Sequence, residues 1–238
     1  MTALGYDRGA MKTLLHLARR IPHGEAVLPY LLAALVLLMF VASPLADVGI
    51  LNRPLLGIMM IVVVLAGLFA LGGRGHFAPP VIGLGLLLLV LQALVIFITE
   101  RWFDLLAELT GTLFFLLLCL VLLLSVFAPG RITVDRVLGA IAVYLLIAMF
   151  FAESFDFVGR FATDAFTMGP QPTPYTTPGA RFFYLSVISL TSVGFGDMAP
   201  VHPFARSLVM LEAILGQIYT TVILAWMVSL AVRDYRGS

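Results

Sequence analysis

The sequence has 238 residues, of which 61% are hydrophobic and 11% are charged, and its mean hydropathy is +1.08. Soluble domains average about 45–50% apolar and about 25% charged residues, so this composition excludes a water-soluble enzyme or nucleic-acid-binding protein. The 14 basic and 13 acidic side chains leave a net charge of +1, so we expect no nucleic-acid partner. The single cysteine, Cys119, excludes a disulfide framework and a thiolate metal site.

Six apolar runs predict transmembrane helices, because each is near the about 20 residues that a helix needs to cross the hydrocarbon core. They are Val27–Ser43, Leu55–Gly73, Val81–Thr99, Leu105–Phe127, Val137–Phe151 and Pro203–Val232. Helix-breaking pairs such as Ser43-Pro44 and Pro129-Gly130 separate them. The fifth run is short, and its helix is expected to begin near Thr133. The sequence therefore predicts an all-α integral membrane protein with six transmembrane helices in a lipid bilayer.

The polar lead, residues 1–25, has basic residues spaced among apolar ones: Arg8, Lys12, Arg19 and Arg20. This pattern is typical of a cytoplasmic basic amphipathic segment on an anionic membrane surface, although a solvated tail explains the same residues. A cleaved signal peptide is disfavoured because the lead is long for a charged n-region.

The distribution of basic residues favours one orientation. With both termini in the cytoplasm, the inner segments hold nine Lys and Arg residues and the outer segments hold five, which is the direction of the positive-inside rule. We therefore expect a multi-pass protein of the cell membrane (plasma or inner membrane), with both termini cytoplasmic.

A short apolar stretch between the fifth and sixth runs precedes an unusual glycine pattern. Ala180–Leu190 is too short to cross a bilayer, and after Pro178-Gly179 it predicts a re-entrant helix of about 15 Å. In Thr191–Asp197, two glycines alternate with larger residues, which permits an extended backbone whose carbonyl groups all point one way. Non-helical backbone at membrane depth is tolerated only where protein buries it or where it lines a watery path.

Seven consecutive residues resemble the selectivity-filter motif of the potassium channel family. They are Thr191, Ser192, Val193, Gly194, Phe195, Gly196 and Asp197. The resemblance covers roughly Thr133–Val232 and implies an outer helix, a pore helix, a filter and an inner helix. The sequence departs from the commonest pattern at Ser192, where threonine is usual, and at Phe195, where tyrosine is usual. Both departures loosen the expected support of the filter.

The resemblance implies passive conduction of K⁺. Carbonyl oxygens of Ser192, Val193, Gly194 and Phe195 would replace the water shell of K⁺, and the Ser192 hydroxyl would add the innermost ring of ligands. One chain supplies one filter segment, so closing such rings requires a homotetramer. K⁺ is then the permeant ion, and no cofactor is expected.

Six further residues are expected to support or gate the pore: Tyr184, Glu212, Gly216, Gln217, Thr220 and Leu224. The resemblance implies a hydrogen bond between Asp197 and Tyr184, and it places Gly216 at the hinge glycine of the inner helix. It also puts Gln217, Thr220 and Leu224 on the face that lines a water-filled cavity. For Thr220, a polar contact between packed helices is an alternative.

Glu212 is unusual because it lies about 13 Å along the last helix from Pro203, where an ionised carboxylate costs at least about 2.5 kcal/mol. It must therefore face protein or water, and Ser186 or Ser189 on the pore helix is the expected partner. Support of the filter, pH sensing and a purely structural hydrogen bond are all compatible with this position.

Acidic residues on the outer side are expected to lie in a wet loop: Glu153, Asp156 and Asp164. The proline-rich insert over residues 153–179 predicts a partly extended turret with little regular structure.

Leu105–Phe127, at the position of a voltage-sensor helix, has no Lys or Arg. The membrane field therefore has no basic charge to act on there, and strong voltage gating is not expected. Its one charged residue, Glu108, is expected to snorkel or to pair with Arg101.

The sequence is therefore expected to divide into three regions: the N-terminal segment 1–25, a four-helix transmembrane domain of unknown role at 26–130, and a pore domain at 131–238.

A weakly selective cation channel and a non-conducting regulatory subunit remain open as alternatives to a K⁺ channel. An intramembrane enzyme is disfavoured because the four histidines are scattered and form no catalytic motif. A secondary transporter is disfavoured because only one broken helix is visible.

Overall fold

The computed structural model describes residues 28–47, 50, 53–71, 78–95, 101–128, 133–162, 164–168, 171–172 and 180–236, and the predicted amphipathic segment 1–25 lies outside them. The helices in chain order are α1 (Leu28–Leu37), α2 (Ser43–Asp47), α3 (Arg53–Ala70), α4 (Ala78–Val95), α5 (Arg101–Val126), α6 (Val134–Phe161), α7 (Ala180–Leu190) and α8 (Pro203–Arg236). The strands are β1 (Phe166–Met168), β2 (Gln171–Pro172) and β3 (Met198–Pro200).

A π-helical turn, Leu38–Ala42, joins α1 to α2 in one continuous helix, because both residues that flank the turn have right-handed helical angles. The Ser43 N–H bonds to Leu38 O, five residues back instead of four. Pro44 follows directly and has no N–H to donate, so the wider turn lets the helix pass a residue that would otherwise break it. The predicted end at Ser43-Pro44 is therefore wrong, and the helix continues to Asp47.

Four helical segments within the described residues are long and apolar enough to cross a membrane: Leu28–Leu45, Leu105–Val126, Arg136–Phe161 and Pro203–Ser229. α3 and α4 have 18 residues each, or about 27 Å, but their apolar parts are shorter, at Gly57–Ala70 and Pro79–Leu94. These helices are consistent with an all-α, multi-pass membrane protein. The count of six transmembrane helices and the re-entrant course of α7 stay predictions.

α6 is longer at both ends than the apolar run Val137–Phe151 that predicts it. Thr133 caps its N-terminus by accepting a hydrogen bond from a backbone N–H three residues on. At its other end the helix continues to Phe161. Glu153 and Asp156 lie in this extension with only 8% and 3% of their surface exposed, so their expected place in a wet loop is wrong. They can be buried because they meet polar partners on α5 and on α6 itself, as described below.

Two strands of the turret between α6 and α7, β1 and β2, pair with β3 beyond α7 to form a three-stranded antiparallel sheet in the order β2-β1-β3. Thr167 on β1 lies opposite Pro172 on β2 and Ala199 on β3. The expectation of little regular structure is therefore wrong for the described residues 153–162, 164–168 and 171–172, although Asp164 is exposed as expected. Residues 173–179 of the predicted turret lie outside the described residues. Because β3 directly follows residues 191–197, the sheet joins that segment to the turret.

α6 is the centre of the packing, since α1, α5, α7 and α8 all contact it. Large aromatic side chains fill the contact, with Phe114 and Phe115 from α5 and Phe151 and Phe155 from α6 all fully buried. By contrast, only 11% of the apolar span of α8 is buried. A single chain therefore leaves most of the surface of its last helix uncovered.

Candidate ion-conduction site

The backbone of residues 191–197, called the filter segment below, alternates in handedness. The φ angle is positive at Ser192 (57°), Gly194 (52°) and Gly196 (77°), and negative at the residues between them. In a uniform β-strand, successive carbonyl groups point to opposite sides, whereas a change of handedness at every second residue lets them share one side. Ser192 is the one non-glycine residue with positive φ in the described part of the chain, so its backbone is held in a conformation that serine rarely adopts.

The first N–H groups of the filter segment turn back onto the last turn of α7. Ser192 N bonds to Ser189 O at 2.9 Å, and the N–H groups of Val193 and Gly194 share Ile188 O at 2.9 and 3.2 Å. Within the described residues, the carbonyl oxygens of 191–197 accept no hydrogen bond. All seven residues are exposed in the single chain. These oxygens are therefore free to meet water, an ion or another chain.

The carbonyl group of Leu190, the last residue of α7, is held from two sides. Tyr144 on α6 donates its hydroxyl to Leu190 O at 3.3 Å. Gly216 on α8 approaches so closely that a Cβ atom there would overlap Leu190 O and lie 2.9 Å from Leu190 C. The resemblance implies a hinge at Gly216, and the structure adds a packing reason for glycine at this position.

Gln217 joins α8 to the start of the filter segment, because its Nε2 donates to Ser192 Oγ at 3.0 Å. The sequence predicts both residues near the pore, but their separation along the chain gives no sign that they touch. The Thr220 hydroxyl bonds to its own helix, at Gly216 O and Gln217 O. Gln217, Thr220 and Leu224 are all exposed, so the face that they share is open in the single chain.

Tyr184 and Asp197 form the hydrogen bond that the resemblance implies, at the C-terminal end of the filter segment. The Tyr184 hydroxyl donates to Asp197 Oδ2 at 2.7 Å, and the Met198 N–H donates to Asp197 Oδ1 at 3.0 Å. The carboxylate thus connects α7 to β3. The bond to this carboxylate raises the pKa of Tyr184 above its usual value, because it stabilises the protonated hydroxyl.

Glu212 has no exposed surface and lies where α6, α7 and α8 meet. Its Oε1 forms a hydrogen bond with Ser186 Oγ on α7, and the same Oγ lies 2.8 Å from Ala148 O on α6. Ser189, the other expected partner, bonds to Leu185 O in its own helix. One serine therefore connects Glu212 to both neighbouring helices.

Three acidic side chains, called the acidic cluster below, gather between α5 and α6: Glu108, Glu153 and Asp156. Arg160 Nη2 lies 2.8 Å from Glu108 Oε1 and 3.0 Å from Asp156 Oδ2. Arg160 is not among the residues predicted for the site, although the i, i+4 spacing of Asp156 and Arg160 on one helix is a usable signal. The side chain of Arg101, the expected partner of Glu108, lies outside the described residues.

Residues 143–233 match a family model described as an ion channel. The match begins within α6 and ends within α8, so it contains α7 and the whole filter segment. No curated protein and no solved structure matches the chain. Together with the apolar helices, the family match supports an ion channel in a multi-pass membrane protein, and it points to a transport protein rather than an enzyme.

Proposed function

We propose that the protein is a homotetrameric channel that conducts K⁺ passively across a membrane. The observation that carries this proposal is the filter segment itself, in which a potassium-channel-like sequence has alternating backbone handedness and carbonyl oxygens that accept no hydrogen bond from the part of the chain that the structure describes. The segment directly follows α7, an 11-residue helix that is too short to cross a bilayer.

The proposed ion ligands are the carbonyl oxygens of Ser192, Val193, Gly194 and Phe195. A dehydrated K⁺ needs several such oxygens at each of several adjacent sites, so that an entering ion displaces the next one. Asp197 carries negative charge at the outer end, where it would raise the local concentration of cations. These are the roles that the potassium channel resemblance implies.

A tetramer is proposed because one chain leaves too much of this region uncovered. Apolar residues of α8 such as Ile214, Ile218 and Leu224 are exposed at 56%, 53% and 65%, and Phe195 in the filter segment is exposed at 71%. Polar residues of α8, above all Gln217, are also exposed. Bare backbone and an exposed amide at membrane depth require water or protein beside them. Four copies around one axis supply both, with the polar face toward a water-filled cavity.

The gating stimulus is not expected to be voltage. α5 has no Lys or Arg between Leu105 and Val126, and moving one charge through 100 mV supplies about 2.3 kcal/mol only if a charge is there to move. The one acidic residue in that stretch, Glu108, is paired with Arg160 on α6.

A weakly selective cation channel is the second candidate, and the residues at two filter positions favour it. Ser192 has no methyl group to restrict its side chain, and Phe195 has no hydroxyl to tie the filter to α7. Selectivity would then depend on the contacts that remain, from Gln217 to Ser192 and from Tyr184 to Asp197.

The test is ion flux from liposomes that contain the purified protein, followed by reversal potentials in mixed K⁺ and Na⁺. We expect Ba²⁺-sensitive K⁺ flux, and we expect Gly194→Ala to remove it because φ is +52° there. Gly57→Ala is the matched control, since a Cβ at Gly57 meets no atom within 4 Å. Equal permeability to K⁺ and Na⁺ supports the second candidate, and an intact tetramer without flux supports a non-conducting regulatory subunit.

A further inference from the structure

Glu212 occupies a position that the conduction mechanism does not use. It lies about 13 Å along α8 from Pro203, on the side of the helix that faces α6 and α7. Its side chain has no exposed surface, so it does not line the proposed cavity. Its only hydrogen-bond partner among the described residues is Ser186 on α7.

The number of hydrogens available constrains the protonation of this pair. Ser186 Oγ lies within hydrogen-bonding distance of both Glu212 Oε1 and Ala148 O. A serine hydroxyl carries one hydrogen, and a backbone carbonyl can only accept. Both contacts are hydrogen bonds only if Ser186 donates to Ala148 O and the carboxyl group of Glu212 donates to Ser186 Oγ. A carboxyl group can donate only when it is protonated.

The charges around Glu212 lead to the same conclusion. No Lys, Arg or His among the described residues pairs with it, and its Oε2 has no hydrogen-bond partner there. The titratable group that faces it from α6 is Tyr144, which is uncharged at neutral pH. α7 contributes only the Ser186 hydroxyl. A buried carboxylate without a cation and with one bare oxygen is strongly disfavoured, whereas a neutral carboxylic acid is tolerated.

We propose that Glu212 is a neutral carboxylic acid that donates a hydrogen bond to Ser186 and thereby positions α7, and the filter segment that follows it, against α6 and α8. This inference rests on the proposed function for its link to conduction, but the protonation of Glu212 does not. Glu212 is a positioning residue, since it touches Ser186 and not the ion. If it loses its proton, it can only accept, and Ser186 then turns its single hydrogen from Ala148 O to the carboxylate.

The first test is the infrared difference spectrum between the wild-type protein and Glu212→Gln, both in liposomes at neutral pH. We expect the wild type to show the C=O band of a protonated carboxyl group that the variant lacks. In Ser186→Ala the band should shift, because the carboxyl group loses its acceptor. Carboxylate bands in place of the protonated-carboxyl band would overturn the proposal, whether or not the protein conducts.

The second test is the pH profile of K⁺ flux. Glutamine keeps the shape of the side chain, donates through its amide and cannot ionise, so Glu212→Gln should conduct at neutral pH and keep conducting as the pH becomes alkaline. The wild type should lose flux severalfold over the same range. Ionisation of Tyr184 at the outer end is common to both proteins and cancels in the comparison. Identical profiles would overturn the positioning role, and no flux from either protein would count against the proposed channel and leave the infrared result standing.

Discussion

Gly216→Ala is expected to push α7 away from α8, because the added methyl group meets backbone and not a movable side chain. A Cβ at this position would overlap Leu190 O and lie 2.9 Å from Leu190 C and 3.1 Å from Leu190 Cδ1. Ordinary contact begins at 3.4 Å, so relieving the contact with Leu190 C alone needs 0.5 Å of separation, and the overlap with Leu190 O needs more. Such a shift would also move the hydrogen bond that Gln217 makes with Ser192.

The sign of the stability change follows from two opposing effects. Replacing glycine by alanine inside a helix ordinarily stabilises it by about 0.5–1 kcal/mol. Overpacking a close contact costs about 1–3 kcal/mol and occasionally more, and the backbone of Leu190 cannot relieve it by changing rotamer. We therefore expect a net loss of about 1–2 kcal/mol per chain for Gly216→Ala. Gly57→Ala, which adds a methyl group to open space on α3, should be neutral or slightly stabilising.

The assay has two parts, a denaturation midpoint in mild detergent and the K⁺/Na⁺ reversal potential in liposomes. Gly216→Ala should lower the midpoint and reduce selectivity or flux, and Gly57→Ala should change neither. If Gly216→Ala is as stable and as selective as Gly57→Ala, then α7 and α8 do not touch at Leu190 and the proposed packing behind the filter segment is incorrect.

Three further changes test the other contacts. Arg160→Gln should lower the free energy of unfolding by about 3 kcal/mol in a denaturant titration, because it removes the cation that pairs with Glu108 and Asp156 in this mostly buried cluster; an unchanged midpoint would refute this. Gln217→Ala removes one hydrogen bond to Ser192, of about 0.5–1.5 kcal/mol, and should lower the K⁺/Na⁺ permeability ratio without loss of the folded protein, whereas an unchanged ratio means that the bond does not support selectivity. The raised pKa of Tyr184 means that its bond to Asp197 is fully present below the ordinary tyrosine pKa of about 10 and is lost only as pH rises through the higher native value. The tyrosinate absorbance of wild type minus Tyr184→Phe should therefore appear above that pH, and its appearance below it would contradict the assignment.

The features that the sequence predicts well are those carried by consecutive residues. The helix over Ala180–Leu190 and the alternating backbone that follows it are both encoded in adjacent positions, by length and by the spacing of glycines. The expected depth of Glu212 in the membrane calls for a protein or water partner, and of the two serines expected for this role, Ser186 and Ser189, the structure pairs Glu212 with Ser186.

The features that the sequence does not predict depend on partners far away in the chain. Hydropathy alone predicts that the fifth apolar run, which forms α6, ends at Phe151. Glu153 and Asp156 resemble loop residues until their contacts with α5 and Arg160 are known. Similarly, Pro44 predicts that the first helix ends, but the π-helical turn before Pro44 lets the helix continue. In each case tertiary contacts or a neighbouring turn change what the local pattern indicates.

The helices that precede α6 contact both α6 and α7 in the same chain, so their movement is physically coupled to the helices around the filter segment. α5 is joined to α6 by the pair of Glu108 and Arg160, and α2 packs directly against α7. α7 in turn is held by Tyr144, Ser186 and Gly216 at one end of the filter segment and by Tyr184 at the other. A displacement of α2 or α5 must therefore be taken up at α7 or α6, because closely packed helices cannot move independently. The residues that fix α7 are consequently the ones through which helices α1–α5 would act on the proposed conduction.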